Sequence, residues 1–227
     1  AALPKHVVNS IFKGILSFSA GSIVLVSLLM VGITSAEAQE KAAGAALPPM
    51  KEILSDRVLG NPDAPVTMIE YASMTCPHCA AFHTGPYPAL KKEYIETGKV
   101  KFIYRDFPLD RLALAAAMMA RCAPKERYNA VVDIIFRTQQ NWAKVADPAA
   151  ALSQIGLLSG ISQATYKACV SNKEIFDGVM KMRNDGDKEF KVKSTPTIII
   201  NGKTFDGHAT IERLRVALDA ELAKAKK

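Results

Sequence analysis

The sequence predicts an α/β protein whose mixed sheet is interrupted by a block of helices. Residues 66–71 and 100–104 are rich in β-branched and apolar residues and flank a helical segment, as in a β-α-β unit. Residues 109–190 show no strand pattern. A strand, the turn Asn201-Gly202 and a return strand then precede a final helix. The first two strands need a parallel crossover and the last two a tight hairpin, so the sheet is mixed.

The composition is that of an ordinary globular protein. Of the 227 residues, 49% are apolar and 22% are charged, which excludes a disordered or collagen-like chain. The formal net charge of +7 is spread along the chain, with one tryptophan in all. No basic patch is interleaved with aromatic residues, so nucleic-acid binding is not expected. We expect a monomer, because the sequence has no heptad pattern.

Residues 1–38 have the pattern of a signal peptide. Lys5 and Lys13 supply positive charge, residues 14–36 are uncharged, and Ala-Glu-Ala at 36–38 resembles a signal-peptidase site. The alternative is an uncleaved membrane anchor, because the uncharged stretch approaches the ~20 residues of a membrane helix. Both interpretations place the rest of the chain outside the cytosol.

The remaining chain divides into a tail and three parts of a folded unit. Residues 39–60 form the N-terminal tail, in which 53–59 are predicted to add a short edge strand. The first part of the sheet domain occupies residues 61–108. The helical insertion follows at 109–190, and the second part of the sheet domain is 191–227.

The first β-α-β unit places two cysteines at a strand-to-helix junction. Residues 66–71 are predicted to form a buried central strand, in which Glu70 is the one charged residue. Pro77 suits the first position of the following helix. That helix should extend toward residue 94, disturbed by the glycine and prolines at 85–88.

The insertion and the C-terminus are predicted from helix start and stop signals. The predicted helical segments are 110–123, 124–137, 148–160, 162–170, 173–190 and 211–224. Asp110 and Thr210 are expected to cap two of them. Gly178 and Gly186 are points where the segment 173–190 is expected to be interrupted.

The reactive site is expected at the cysteine pair of Cys76-Pro77-His78-Cys79. If Pro77 begins the helix, Cys76 is its N-cap and its sulfur faces the free backbone N–H groups of His78 and Cys79. The helix dipole favours a thiolate there, and a protonated or donating His78 would add to the effect. The pKa of Cys76 should therefore be depressed, with Cys79 as the shielded partner. Because a stable thiolate stabilises the reduced pair, the disulfide becomes a stronger oxidant.

A zinc site and a purely structural disulfide are the two other interpretations of this motif. A Cys-x-x-Cys pair is half of many zinc sites, but Cys122 and Cys169 do not form a second such pair, so no metal is expected. A purely structural disulfide is the other alternative, and a helix N-terminus is a poor place for an inert sulfur. No cofactor is expected.

Residues 66–79, including Cys-Pro-His-Cys, resemble the DsbA family of bacterial disulfide oxidases, as does Ser-Thr-Pro-Thr at 194–197. The resemblance covers roughly residues 60–222. It implies a thioredoxin-like fold with a helical insertion. It also implies a periplasmic thiol:disulfide oxidoreductase that introduces disulfides into reduced or unfolded proteins. A membrane partner resembling DsbB would re-oxidise it; with an uncleaved anchor, the enzyme would face the periplasm from the membrane.

The resemblance assigns roles to residues outside the motif. Pro196 would be a cis-proline, and the backbone of Thr195 would pair with an extended substrate. Glu70 would be a buried acid that assists proton movement at Cys79, with a solvated or salt-bridged acid as the alternative. His83, one turn beyond Cys79, is expected at the surface or in a groove, without a role.

The position of Thr195 leaves the type of activity open. The best-known oxidases of the family carry valine there, and threonine is more typical of isomerase and reductase relatives. A disulfide isomerase or reductase of the same fold is therefore the alternative. A non-enzymatic substrate-binding or chaperone module is a third possibility, which the intact cysteine pair argues against.

Cys122 and Cys169 lie in the predicted insertion. They are either two buried free thiols or a second disulfide. An oxidising compartment favours the disulfide, and related enzymes sometimes carry such a bond.

Overall fold

The computed structural model describes residues 47–225. The predicted signal peptide and the first part of the predicted tail lie outside the described residues. Within residues 47–225, no helix is both long enough and apolar enough to cross a membrane.

The strands form one mixed sheet of five strands. They are β1, Val58–Leu59; β2, Val66–Ala72; β3, Val100–Asp106; β4, Thr197–Ile200; and β5, Lys203–Thr204. Their spatial order is β1-β3-β2-β4-β5, with β2 and β3 parallel and every other neighbouring pair antiparallel. This confirms the predicted mixed sheet with its parallel first pair and hairpin-linked last pair.

The helices follow most of the predicted start signals. They are α1, Met50–Ile53; α2, Pro77–Thr84; α3, Pro86–Leu90; α4, Arg111–Arg121; α5, Tyr128–Arg137; α6, Gln139–Ala143; α7, Pro148–Leu158; α8, Gln163–Val170; α9, Lys173–Phe190; and α10, Ile211–Ala225. A π-helical turn, Lys91–Ile95, follows α3, and a 3₁₀ turn, Lys125–Arg127, precedes α5. The Asp110 carboxylate accepts the N–H of Ala113, so Asp110 caps α4 as predicted.

The predicted edge strand 53–59 was wrong over its first half. Met50–Ile53 is a short helix, and only Val58–Leu59 pairs with β3. The cause is the packing of Ile53, which is fully buried among apolar residues of α4 and α9 and not on the sheet.

Helix α9 is continuous through both of its glycines, contrary to the interruption expected there. A Cβ at Gly178 would lie 2.4 Å from Leu54 Cδ2, and one at Gly186 would lie 2.6 Å from Tyr71 Cε1. Glycine in a helix costs roughly 1 kcal/mol relative to alanine. Here the two glycines allow α9 to approach α1 and the sheet closely.

The alternation of β2 places Glu70 beneath α2. Val66, Met68 and Ala72 face a core that also contains Phe82 of α2. Tyr71, one residue after Glu70, points to the opposite face, which α9 covers. Glu70 alternates along the strand with Val66, Met68 and Ala72, so its carboxylate lies on the same face of the sheet as these residues and faces α2.

A buried ion pair attaches the helical insertion to the sheet. The Arg121 side chain at the end of α4 is fully buried and donates through Nε to Asp106 at the end of β3. Its Nη1 donates to the carbonyl of Ile53 at 2.9 Å. The guanidinium of Arg121, a residue of the insertion, therefore contacts both β3 and α1.

The insertion also contains a disulfide. Cys122, directly after α4, is bonded to Cys169 in α8. Both residues are buried in an apolar cluster separate from the main core. The bond closes a segment with a sequence separation of 47 residues.

Candidate active site

Cys76 is the N-cap of α2, and Pro77 is the first helical residue. The Cys76 N–H donates to the carbonyl of Ser73 at 3.0 Å, which turns the chain out of β2 and into the helix. Both cysteines of the motif are free thiols here. Cys79 is fully buried, whereas Cys76 keeps 8% of its surface exposed, so Cys76 is the sulfur that an incoming thiol reaches.

The surroundings of Cys76 favour its thiolate. A hydrogen bond from the Cys79 thiol lowers the pKa of Cys76 to about 5, against the opposing effect of burial. The Thr195 side chain and the backbone N–H groups of Cys79 and His78 lower the pKa further. The same pairing has the opposite effect on the partner: burial, the bond to Cys76 and the charge of Glu70 raise the pKa of Cys79.

The loop before β4 lies directly against Cys76. The Thr195–Pro196 peptide bond is cis. In this reduced arrangement the Cys76 thiol donates to the Thr195 carbonyl at 3.3 Å. The Thr195 hydroxyl is buried and has no partner of conventional geometry among the described residues. It is therefore available to the Cys76 sulfur when the thiolate forms.

An apolar groove continues from the motif along this loop. Its volume is about 880 Å³. It is lined by residues of α2, of the cis-proline loop and of the segment after β5, among them His78, Phe82, Pro196 and Phe205. His78 is exposed at its edge. The arrangement leaves room for an extended chain beside Cys76.

Glu70 and His83 form a buried pair under the motif. The carboxylate Oε2 of Glu70 lies 2.9 Å from Nε2 of His83, and both side chains are buried. The surface position predicted for His83 was wrong: its ring stacks on Phe136 with centroids 4.2 Å apart. Glu70 Oε1 and His83 Nδ1 have no hydrogen-bond partner among the described residues.

Sequence reasoning missed His83 as a site residue, although one signal pointed to it. Cys79 and His83 are four residues apart, so they lie on one face of α2. The shielded face of Cys79 is therefore also the face of His83. Gln139, by contrast, gave no signal in the sequence. Its buried side-chain amide donates to the carbonyls of Met74 and Cys76, both at 2.9 Å.

The structure thus brings together Cys76, Cys79, Glu70, Thr195 and Pro196. Cys122 and Cys169 lie away from this site, in the apolar cluster that is separate from the main core and is called the satellite cluster below. Among residues 47–225 there is no group of three or more His, Cys, Asp or Glu side chains that would hold a metal ion.

The low pKa of Cys76 predicts a specific pH dependence of its reactivity. Alkylation of the reduced protein by iodoacetamide should be nearly constant above pH 6 and fall about tenfold per unit below pH 5, because the thiolate is the nucleophile. The folded pKa lies below the unfolded value of about 8.5. The thiolate therefore stabilises the reduced fold fully above that value, and this stability is lost as the pH falls through about 5. A reactivity midpoint near pH 8.5 would contradict the geometry described for Cys76.

The sheet order, the cysteine pair at the start of α2 and the facing cis-proline define a thioredoxin-like dithiol site. A family model described as Thioredoxin matches residues 53–220. The crystal structure of alpha-DsbA1 from Wolbachia pipientis is similar with a TM-score of 0.70 and 31% identity, covering 76% of this chain and 93% of that one. The chain therefore belongs to the thioredoxin-like DsbA family of thiol:disulfide oxidoreductases.

Curated relatives agree with this family. A protein-disulfide oxidoreductase of Rickettsia bellii is 33% identical over 175 residues, which are 76% of this chain and 66% of that protein. Its counterpart in Rickettsia typhi is 36% identical over 171 residues, 74% of this chain and 62% of that protein. The chain thus spans less than two thirds of the length of either relative.

Proposed function

We propose that this chain is an exported thiol:disulfide oxidoreductase that introduces disulfide bonds into reduced or unfolded proteins. The observation that carries the proposal is the position of Cys76, which is a helix N-cap with a pKa of about 5 beside the apolar groove. The pattern of residues 1–38 supports export into the periplasm.

The reaction begins with the Cys76–Cys79 disulfide. A substrate thiolate attacks the sulfur of Cys76, the bond to Cys79 breaks, and a mixed disulfide forms. Cys79 leaves as a thiolate and takes up a proton, in keeping with its raised pKa. A second substrate thiolate then attacks the substrate sulfur of the mixed disulfide, and Cys76 leaves as a thiolate. Two substrate thiols are oxidised to one disulfide, and the protein becomes a dithiol.

The geometry favours this direction. A thiolate of low pKa is a good leaving group, so substrate is released readily from Cys76. The backbone of Thr195 lies against the Cys76 sulfur, where it can pair with an extended substrate segment. The dithiol must then be re-oxidised, for which we propose a membrane partner resembling DsbB.

In this proposal Glu70 is the acid and base that gives a proton to the Cys79 sulfur and takes it back. Its carboxylate is buried on the face of β2 beneath α2, and its charge is among the causes that raise the pKa of Cys79. Oε2 is held by His83, which leaves Oε1 without a partner among the described residues. That free oxygen supports a direct or water-mediated proton transfer to Cys79.

Glu70→Gln should slow the steps that move the Cys79 proton. We expect re-oxidation by glutathione disulfide to slow by about 10²-fold at pH 7, because a neutral amide cannot accept the proton. Single-turnover kinetics followed from pH 5 to 9 measure this. Glu96→Gln, which changes an exposed carboxylate, is the matched control. An unchanged pH profile for Glu70→Gln would remove Glu70 from the mechanism.

The proposed function is tested with the oxidised full-length chain and a reduced, unfolded model protein. We expect the substrate to gain one disulfide for each protein disulfide lost, counted by mass spectrometry. If the chain does not oxidise this substrate but its reduced form cleaves the disulfides of insulin, the oxidase proposal is wrong.

Thr195 favours a second candidate, an isomerase or reductase of the same fold. A hydroxyl at this position can donate to the Cys76 thiolate, which a valine could not do. A substrate with scrambled disulfides distinguishes the two. An isomerase in its reduced form restores the native pairing catalytically, whereas an oxidase acts only on free thiols.

A further inference from the structure

We propose that Gln139 is a positioning residue that sets the redox equilibrium of the cysteine pair from within the helical insertion. It does so by fixing the backbone on both sides of Thr75. The inference rests on the proposed role of Cys76 as the exchanging sulfur. No contact with substrate is needed for it.

The contacts of Gln139 are specific. Gln139 is the first residue of α6 and is 3% exposed. Its Nε2 donates to the Met74 carbonyl and to the Cys76 carbonyl, at 2.9 Å each. A side-chain amide nitrogen has two N–H groups. Both are therefore used on the loop that carries the nucleophile.

The two carbonyls are close to the reacting sulfur in the chain. The Cys76 carbonyl also accepts the N–H of Ala80 at 3.1 Å, which is the first hydrogen bond of α2. The direction of the Cys76 carbonyl therefore fixes the first turn of α2, and with it the orientation of the His78 and Cys79 N–H groups toward the Cys76 sulfur. Gln139 fixes this direction from outside the helix.

The hydrogen bonds of Gln139 should matter more to the reduced state than to the oxidised state. A thiolate on Cys76 is disfavoured by the partial negative charge of nearby carbonyl oxygens. A donor shared by the Met74 and Cys76 oxygens offsets part of that charge and keeps the oxygens in place. In the Cys76–Cys79 disulfide the sulfur is neutral, so the same donor contributes less. Removing it should make the disulfide a weaker oxidant.

Other contacts keep the loop and α6 in place without Gln139. Thr75 Oγ1 donates to the Asp110 carboxylate, and the Leu109 N–H donates to Ser73 Oγ at 3.3 Å. Trp142, also in α6, is buried and donates from Nε1 to the Ile135 carbonyl at 2.8 Å. A substitution at 139 is therefore expected to leave the fold intact while releasing the two carbonyls.

Gln139→Met tests the proposal, because it keeps length and volume but removes the donor. Gln140→Met is the matched control, since Gln140 is the next residue and is exposed. Both full-length variants are equilibrated with glutathione buffers, and the thiolate of Cys76 is titrated by its absorbance at 240 nm. For Gln139→Met we expect the redox equilibrium to shift three- to tenfold towards the disulfide, where tenfold corresponds to about 30 mV. The thiolate midpoint should rise in the same variant, and Gln140→Met should match the wild type.

Denaturant unfolding of the oxidised and reduced forms separates positioning from simple destabilisation. If Gln139→Met destabilises both forms equally, its redox equilibrium stays within twofold of the wild type and the proposal is overturned. If Gln139→Met does not fold, Gln139→Leu replaces it: an apolar side chain cannot donate, so a shift in the same direction is expected. An unshifted Gln139→Leu would overturn the proposal in turn. A wild type as reducing as thioredoxin would instead refute the proposed oxidase function.

Discussion

Cys79→Ser should accumulate a mixed disulfide with substrate, whereas Cys76→Ser should lose thiol exchange altogether. Cys76 holds the thiolate and keeps 8% of its surface exposed, while Cys79 is fully buried with a raised pKa. Removing the nucleophile should reduce exchange by on the order of 10³-fold or more. Removing Cys79 leaves the attack by Cys76 on a substrate disulfide intact. It deletes the intramolecular sulfur that would release the complex.

The two variants are compared by incubation with a disulfide-containing peptide, followed by non-reducing electrophoresis and mass spectrometry. The expected adduct is on Cys76 in the Cys79→Ser protein and is absent from the Cys76→Ser protein. The wild type, which keeps Cys79, is the control: it should form the same adduct only transiently and then release the peptide. Adducts on Cys79 in the Cys76→Ser protein would reverse the assigned roles.

The double variant Cys122→Ala/Cys169→Ala should be strongly destabilised. A bond that closes a segment with a sequence separation of 47 is worth about 4 kcal/mol in the chain-entropy model. Such a loss is a large share of the 5–15 kcal/mol that ordinarily stabilises a domain. Both sulfurs also pack in the satellite cluster beside Met118 and Val179, so truncation removes apolar contacts as well.

Urea unfolding of the oxidised wild type and the double variant measures this loss. The variant Met118→Ala, in the same cluster, controls for packing without breaking the bond. A double variant that unfolds at the same urea concentration as the wild type would mean that the bond does not stabilise the fold. Equal losses in Met118→Ala and the double variant would assign the effect to packing alone.

The parts of the fold that could be predicted from sequence are those with local signals. β2 and β3 are β-branched and apolar, and Pro77 marks the start of α2, so the cysteine motif could be placed at the strand-to-helix junction. The Asn201-Gly202 turn predicted the hairpin, and both residues have positive φ, 47° and 77°.

The parts that escaped prediction depend on contacts between distant segments. Gly178 and Gly186 indicated an interruption, yet each accommodates a close side chain from another element, and α9 continues. His83 looks like any polar residue until Glu70 and Phe136 are seen around it. Gln139 is separated by more than sixty positions from the loop it holds, and glutamine on a short helix predicts nothing by itself.

The central claim is that the Cys76–Cys79 pair is an oxidising disulfide whose reduced form is stabilised by the Cys76 thiolate. The most direct test is the equilibrium redox potential of the full-length chain in glutathione buffers, with the fraction oxidised read by mass spectrometry after acid quenching. We predict a potential well above the roughly −270 mV of thioredoxin. A value near −270 mV would contradict the claim and indicate a reductase supplied with electrons from elsewhere.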